Sequence, residues 1–164
     1  LGDREPWAAY GAIAAAALPF FAVTRPRASM FLGDVGAAPL GFLASAFAVD
    51  RIAHGHWPAW FPALVFLPFL LDATLTLMRR LVAGEPVWLA HRSHYYQRLH
   101  QLGFGHGGTL AVYGTLMVAC AATAVGCLIV APGAGTPALV ILCVIHGVVF
   151  AAIDYHWAKQ PGTQ

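Results

Sequence analysis

The chain has 164 residues, 59% of them hydrophobic and 10% charged, against roughly a quarter charged in an ordinary soluble domain. A water-soluble fold of this size cannot hide that much apolar surface, and a formal charge of +2 spread over many apolar segments argues against a nucleic-acid partner. Cys120, Cys127 and Cys143 are odd in number, lie in apolar runs and form no CxxC pair, so neither a disulfide framework nor a cysteine zinc site is expected.

The first apolar run follows the mixed, acidic stretch Gly2 to Pro6, so no secretory signal peptide is expected. Leu1 in place of Met fits a piece of a longer protein. A membrane span needs about 20 mainly apolar residues, with about 17 tolerated. Five stretches qualify: Trp7 to Val23, Ala37 to Ala53, Trp60 to Met78, Leu110 to Ala131 and Pro137 to Ile153. Their apolar character is continuous rather than alternating, which predicts helices and not barrel strands. The expected fold is therefore all-α: a multi-span transmembrane bundle in a single membrane domain, 1–164, with the lipid bilayer as its first partner. Pro19, Pro39, Pro62 and Pro68 are expected to kink helices without ending the spans, and Pro137 opens the last one.

Basic residues divide unevenly between the two sides. Arg25 and Arg27 fall in the first loop, Arg79, Arg80, Arg92 and Arg98 in the third, and Lys159 in the tail, whereas only Arg4 and Arg51 lie opposite. The positive-inside rule puts the loops 24–36 and 79–108 in the cytoplasm and the turns 54–59 and 132–136 outside. The 79–108 segment is the one long loop and holds His91, His94, His100 and His106 among aromatic and basic residues. Long loops in compact proteins are usually functional.

Three places stand out as candidates for chemistry. Asp34 lies between Gly33 and Gly36 at the entrance to the second span, where it serves either as a helix cap or as a carboxylate that reaches a cation or ligand. His91, His94 and Arg98 would share a face if helical, giving forked arginine donors and imidazoles for a diphosphate; the alternative is an interfacial helix whose His and Arg meet lipid headgroups. Asp72 interrupts an apolar run, with a structural bond to Thr76 or to a nearby arginine weighed against ligand contact. His146, alone in the last span, reads as a packed histidine; a haem or ion-conducting bundle pairing it with His54 or His56 is a rival.

These residues resemble three motifs of the polyprenyl-phosphate N-acetylhexosamine-1-phosphate transferases, glycosyltransferase family 4, which include phospho-N-acetylmuramoyl-pentapeptide transferase. Phe31-Leu32-Gly33-Asp34-Val35-Gly36 is similar to F-M-G-D-x-G-S. Asp72 to Arg80, read DATLTLMRR, is similar to D-T-L-x-x-x-x-R-R, and His91 to Arg98, read HRSHYYQR, to the H-R-S-H-x-Y-Q-R histidine motif. The resemblance implies transfer of a sugar 1-phosphate from a UDP-sugar to undecaprenyl phosphate, with release of UMP, at the cytoplasmic face of the bacterial inner (plasma) membrane. It implies a catalytic role for Asp34 at a Mg²⁺ and diphosphate site, with His91, Arg92, His94 and Arg98 as the substrate-binding residues.

Ala37 stands where the first motif has serine, and Thr24 where the family has an asparagine. The family's N-terminal half carries further spans and an adjacent aspartate pair, which does not occur here. The resemblance thus covers a C-terminal half, expected to be inactive alone and to need the missing half, or a second polypeptide such as a homodimer partner. A non-catalytic membrane protein of the same fold, binding polyprenyl lipid or a partner, is the alternative.

Overall fold

The computed structural model describes residues 7–24, 33–89 and 91–160. Among these there is no strand: the protein is an all-α membrane bundle. The helices are α1 (Trp7–Thr24), α2 (Gly33–Ala53), α3 (Trp60–Val65), α4 (Leu67–Val82), α5 (Tyr95–Leu99), α6 (Gly105–Val130) and α7 (Gly135–Ala158). Contacts divide the chain into two compact units, Leu1–Ser45 and Ala46–Gln164.

In the first unit α1 carries Pro19 and α2 carries Pro39 within helix, as expected for spans whose freed backbone groups find partners locally. Gly33 opens α2 with φ +61°, a left-handed conformation that glycine adopts without steric cost.

The second unit holds α3 to α7. The apolar segments anticipated as spans lie largely in helix, and among the described residues of both units three stretches, Val35–Ala53, Tyr95–Val130 and Pro132–Ala158, are long and apolar enough to cross a membrane. The segment expected to run unbroken from Trp60 to Met78 instead divides at Phe66 into α3 and α4. Pro68 accounts for the break, because it has no N–H for the Leu64 carbonyl one turn back and its ring crowds that carbonyl.

The 79–108 segment, expected to be one long loop, is largely helical. Arg79 and Arg80 lie in the last turn of α4, residues 83–89 and 91–94 are irregular, and the chain is helical again from Tyr95. A π-turn at His100–Phe104 joins α5 to α6, and Gly103 at φ +100° takes the kink. Apolar periodicity missed this helix because its first turns are rich in polar and aromatic residues, and only the stretch beyond Leu110 reads as continuous hydrocarbon.

Packing in this unit is inverted relative to a water-soluble protein. On α4 the buried residues are Leu67, Pro68, Asp72, Thr76 and Arg80, a stripe repeating every four residues, while Phe69, Leu70, Leu77, Met78, Leu81 and Val82 face outward. On α7, Val140, Ile141, Val144 and Val148 are exposed while His146, Phe150 and Ile153 are buried. Lipid tails are as apolar as leucine, so burying an apolar side chain between helices gains little there, and close packing and hydrogen bonds hold the bundle together. The core is Tyr95, Leu99, Tyr113, Phe150 and Ile153, with the Tyr95 and Phe150 rings stacked 4.3 Å apart. α3 packs on α6 and α7, and Gly135 sits so close to Trp60 that a Cβ there would fall within the indole ring.

Candidate functional site

Asp72 is 3% exposed, receives four donors and contacts the His94 ring. Its Oδ1 accepts from Thr76 Oγ1 at 3.2 Å and the Tyr95 backbone N–H at 3.0 Å, and lies 3.1 Å from His94 Nδ1. Its Oδ2 accepts from the Tyr96 backbone N–H at 3.1 Å and from Tyr113 O–H at 2.5 Å. A carboxylate buried among apolar helices is costly unless fully bonded, and these donors meet that need. The same bonds satisfy two backbone N–H groups that open α5, which have no partner within their own helix. Of the readings weighed for Asp72, the bond to Thr76 is present; Arg79 and Arg80 turn elsewhere.

Those two arginines tie the irregular segment down. Arg79 Nη2 donates to the Ser93 carbonyl at 2.6 Å, and Arg80 Nη2 donates to the Pro86 carbonyl at 2.9 Å. Arg80 Nε also lies 2.9 Å from Glu85 Oε2, an ion pair without hydrogen-bond alignment. The stretch DATLTLMRR and the stretch HRSHYYQR are therefore one physical unit, with the first holding the second in place.

A second carboxylate, Asp154 of α7, gathers α4 and α5. It accepts from Arg98 Nη1 at 2.6 Å, Arg79 Nη1 at 3.3 Å and Tyr95 O–H at 2.9 Å. Arg98 also lies over the Trp157 ring, 5.2 Å from its centroid, and Arg79 lies at the same distance from the Tyr95 ring. Sequence reasoning missed Asp154, since the last span was ended one residue before it. The available signal was its place at the same helix end as Lys159, on the side assigned to the basic loop. Tyr113 was missed too, although a tyrosine in a buried apolar helix generally needs a partner for its hydroxyl.

His91 and His94 bring their rings together beside the Asp72 network, which His94 touches. His91–Ser93 is extended chain rather than helix, so the shared helical face considered for His91, His94 and Arg98 does not form. His94 instead caps α5, with the Gln97 side chain accepting from its backbone N–H at 3.2 Å. The His91 and His94 rings lie 4.9 Å apart, His94 stacks near Tyr96 at 5.8 Å, and His91 Nδ1 is 3.0 Å from Ser93 Oγ. Arg92 is exposed, and its carbonyl accepts from Gln101. The Arg98 guanidinium turns to Asp154. His100 and His106, both exposed, bring their rings to 4.3 Å across the π-turn.

Asp34 lies in the first turn of α2, and its side chain lies outside the described residues. Among the described residues no group of three or more His, Cys, Asp or Glu is arranged to hold a metal. The two carboxylates nearest the histidines, Asp72 and Asp154, are both taken up by protein donors.

His146 is fully buried, with Nδ1 2.7 Å from the Leu142 carbonyl and Nε2 3.9 Å from Cys120 Sγ on α6. It is a packed histidine bonded to a neighbouring helix. His54 bonds to Asp50 in the turn after α2, so the haem pairing considered for these residues has no support in their hydrogen bonds.

The chain is 30% identical over 107 residues to the decaprenyl-phosphate N-acetylglucosaminephosphotransferase of Mycobacterium tuberculosis, with the same match in two strains. The match takes in 57% of this chain and 26% of the relative, so the chain spans about a quarter of the length of the curated relatives it matches. No family model matches the chain, and no solved structure matches it. These relatives support a likeness to the polyprenyl-phosphate sugar-phosphate transferases at that coarse level.

Proposed function

We propose that this chain forms part of a membrane transferase that moves an N-acetylhexosamine 1-phosphate from a UDP-sugar to undecaprenyl phosphate at the cytoplasmic face of the bacterial inner membrane. The observation that carries the reading is the coupling of the two motifs. Asp72 of the first fixes the backbone of Tyr95 and Tyr96 in the second, and Arg79 fixes Ser93, which leaves Arg92 exposed and His91 and His94 half-buried beside it. That arrangement offers cationic and imidazole donors for a diphosphate at the end of a membrane helix, where a soluble nucleotide and a lipid phosphate could meet. Phosphoryl transfer needs little else from a protein than such positioning and charge neutralisation.

In this reading His91, Arg92 and His94 contact the nucleotide-sugar diphosphate. Arg98, engaged by Asp154 and Trp157, acts as a positioning residue that sets the angle of α5. Mg²⁺, with Asp34 as the proposed ligand, would neutralise phosphate charge when bound. The remaining machinery, including further carboxylates, would come from other parts of a longer protein or a second polypeptide.

The test is UMP release from UDP-N-acetylglucosamine and related UDP-sugars, with undecaprenyl phosphate and Mg²⁺. It uses membranes expressing the coding region that contains this chain. The reading expects activity that Asp34→Asn abolishes and Arg92→Ala reduces. A folded protein with no release from any of several UDP-sugars would instead favour a membrane protein that binds polyprenyl lipid without catalysis.

A further inference from the structure

His94 Nδ1 lies 3.1 Å from Asp72 Oδ1. Asp72 already receives two backbone N–H groups and two hydroxyls, and the amides can only donate to it. With one backbone N–H on each of its oxygens, Asp72 acts as an acceptor at both, and the proton on the His94–Asp72 contact belongs to the imidazole. A histidine's tautomer is set by the hydrogen bond its other nitrogen makes. The proton on Nδ1 therefore leaves Nε2 as the nitrogen that meets whatever approaches the loop. His94 is 29% exposed at its side chain, and its ring lies 4.9 Å from that of His91 and 5.8 Å from that of Tyr96.

We propose that Asp72 is a positioning residue for His94, holding the proton on Nδ1 and the ring orientation so that Nε2 is the atom presented to a ligand at the 91–94 loop, accepting a hydrogen bond as the neutral imidazole and donating Nε2–H to an anionic ligand as the imidazolium. The identity of that ligand as a nucleoside diphosphate rests on the transferase reading; the positioning itself does not. A purely structural Asp72 would hold α5 without selecting either nitrogen of His94, and that difference is measurable.

The experiment is a ¹⁵N spectrum of the histidine-labelled chain in detergent at alkaline pH, where neutral imidazoles report their tautomer. The His94 signal is assigned by its loss in His94→Gln. Expected is Nδ1–H in the wild type and Nε2–H in Asp72→Asn, whose amide would donate toward Nδ1. Nε2–H in the wild type, or a tautomer unmoved by Asp72→Asn, would overturn the proposal. If Asp72→Asn fails to fold, the wild-type tautomer decides together with two His94 variants titrated with UDP. His94→Gln, whose amide reaches the Nε2 position, should keep affinity within about threefold. His94→Asn, which reaches only the Nδ1 position, should lose about tenfold, the size of one charge-assisted hydrogen bond; the reverse order would overturn the proposal. The expected tautomers without any UDP binding would uphold the positioning and remove the transferase reading alone.

Discussion

Arg98 Nη1 lies 2.6 Å from Asp154 Oδ1, a bond that joins the short helix α5 to the last helix α7. The same carboxylate takes Arg79 and the Tyr95 hydroxyl, so one side chain fastens three helices at a single end of the bundle. Asp154→Asn should destabilise the protein by about 1–2 kcal/mol. This is less than the roughly 3–5 kcal/mol for breaking a fully buried pair, because Asp154 is 39% exposed and water screens the partners left behind. Thermal unfolding in detergent checks it, and an unchanged midpoint would mean that the aromatic contacts alone hold α5.

Asp72 should be far less replaceable than any one of its donors. Tyr113→Phe removes a single donor and keeps the ring, so a loss of about 1 kcal/mol is expected. Asp72→Ala strands the Tyr113 hydroxyl, the His94 ring and two backbone N–H groups at once, and should cost about 3 kcal/mol or more. Proteolysis of the 83–94 segment in the two variants distinguishes them, with rapid cleavage expected only for Asp72→Ala.

Gly135 tests the close approach of α7 to α3. A methyl group there would enter the Trp60 indole, a rigid ring, so Gly135→Ala should destabilise by about 1–3 kcal/mol. Gly147, where an added Cβ meets nothing within 4 Å, is the control, and Gly147→Ala should leave the unfolding midpoint unchanged or raise it slightly.

The helical character of the chain was legible because hydrocarbon runs of span length have few other solutions in a membrane. Position within those helices was less so. Pro68 was visible, yet whether a proline kinks or divides a helix depends on what its neighbours can bond, and here the chain divides at Phe66. The beginning of α5 was hidden because Tyr95 and Tyr96 owe their helical start to Asp72, which lies more than twenty residues earlier in the chain. HRSHYYQR was legible as a motif, but its split into an outward half and an inward half was not. Only the placement of Asp154 shows that Arg98 belongs to the inward half.

The exposed half of that motif should show a simple salt signature. If Arg92 meets phosphate oxygens, UDP affinity should fall as ionic strength rises, and Arg92→Lys should recover only part of what Arg92→Ala loses, since lysine has no fork of donors. A binding curve indifferent to salt would remove Arg92 from the contact.

The most direct test of the central claim, that the 91–94 loop recognises a nucleotide diphosphate, is equilibrium binding of UDP-N-acetylglucosamine to the purified chain in detergent. The wild type is compared with Arg92→Ala and with Lys159→Ala, a basic residue in the tail that bonds to Tyr155. The account expects Arg92→Ala to weaken binding about 10- to 100-fold, as for one charge-assisted contact, and Lys159→Ala to leave it unchanged. Equal affinity in the wild type and Arg92→Ala would contradict it.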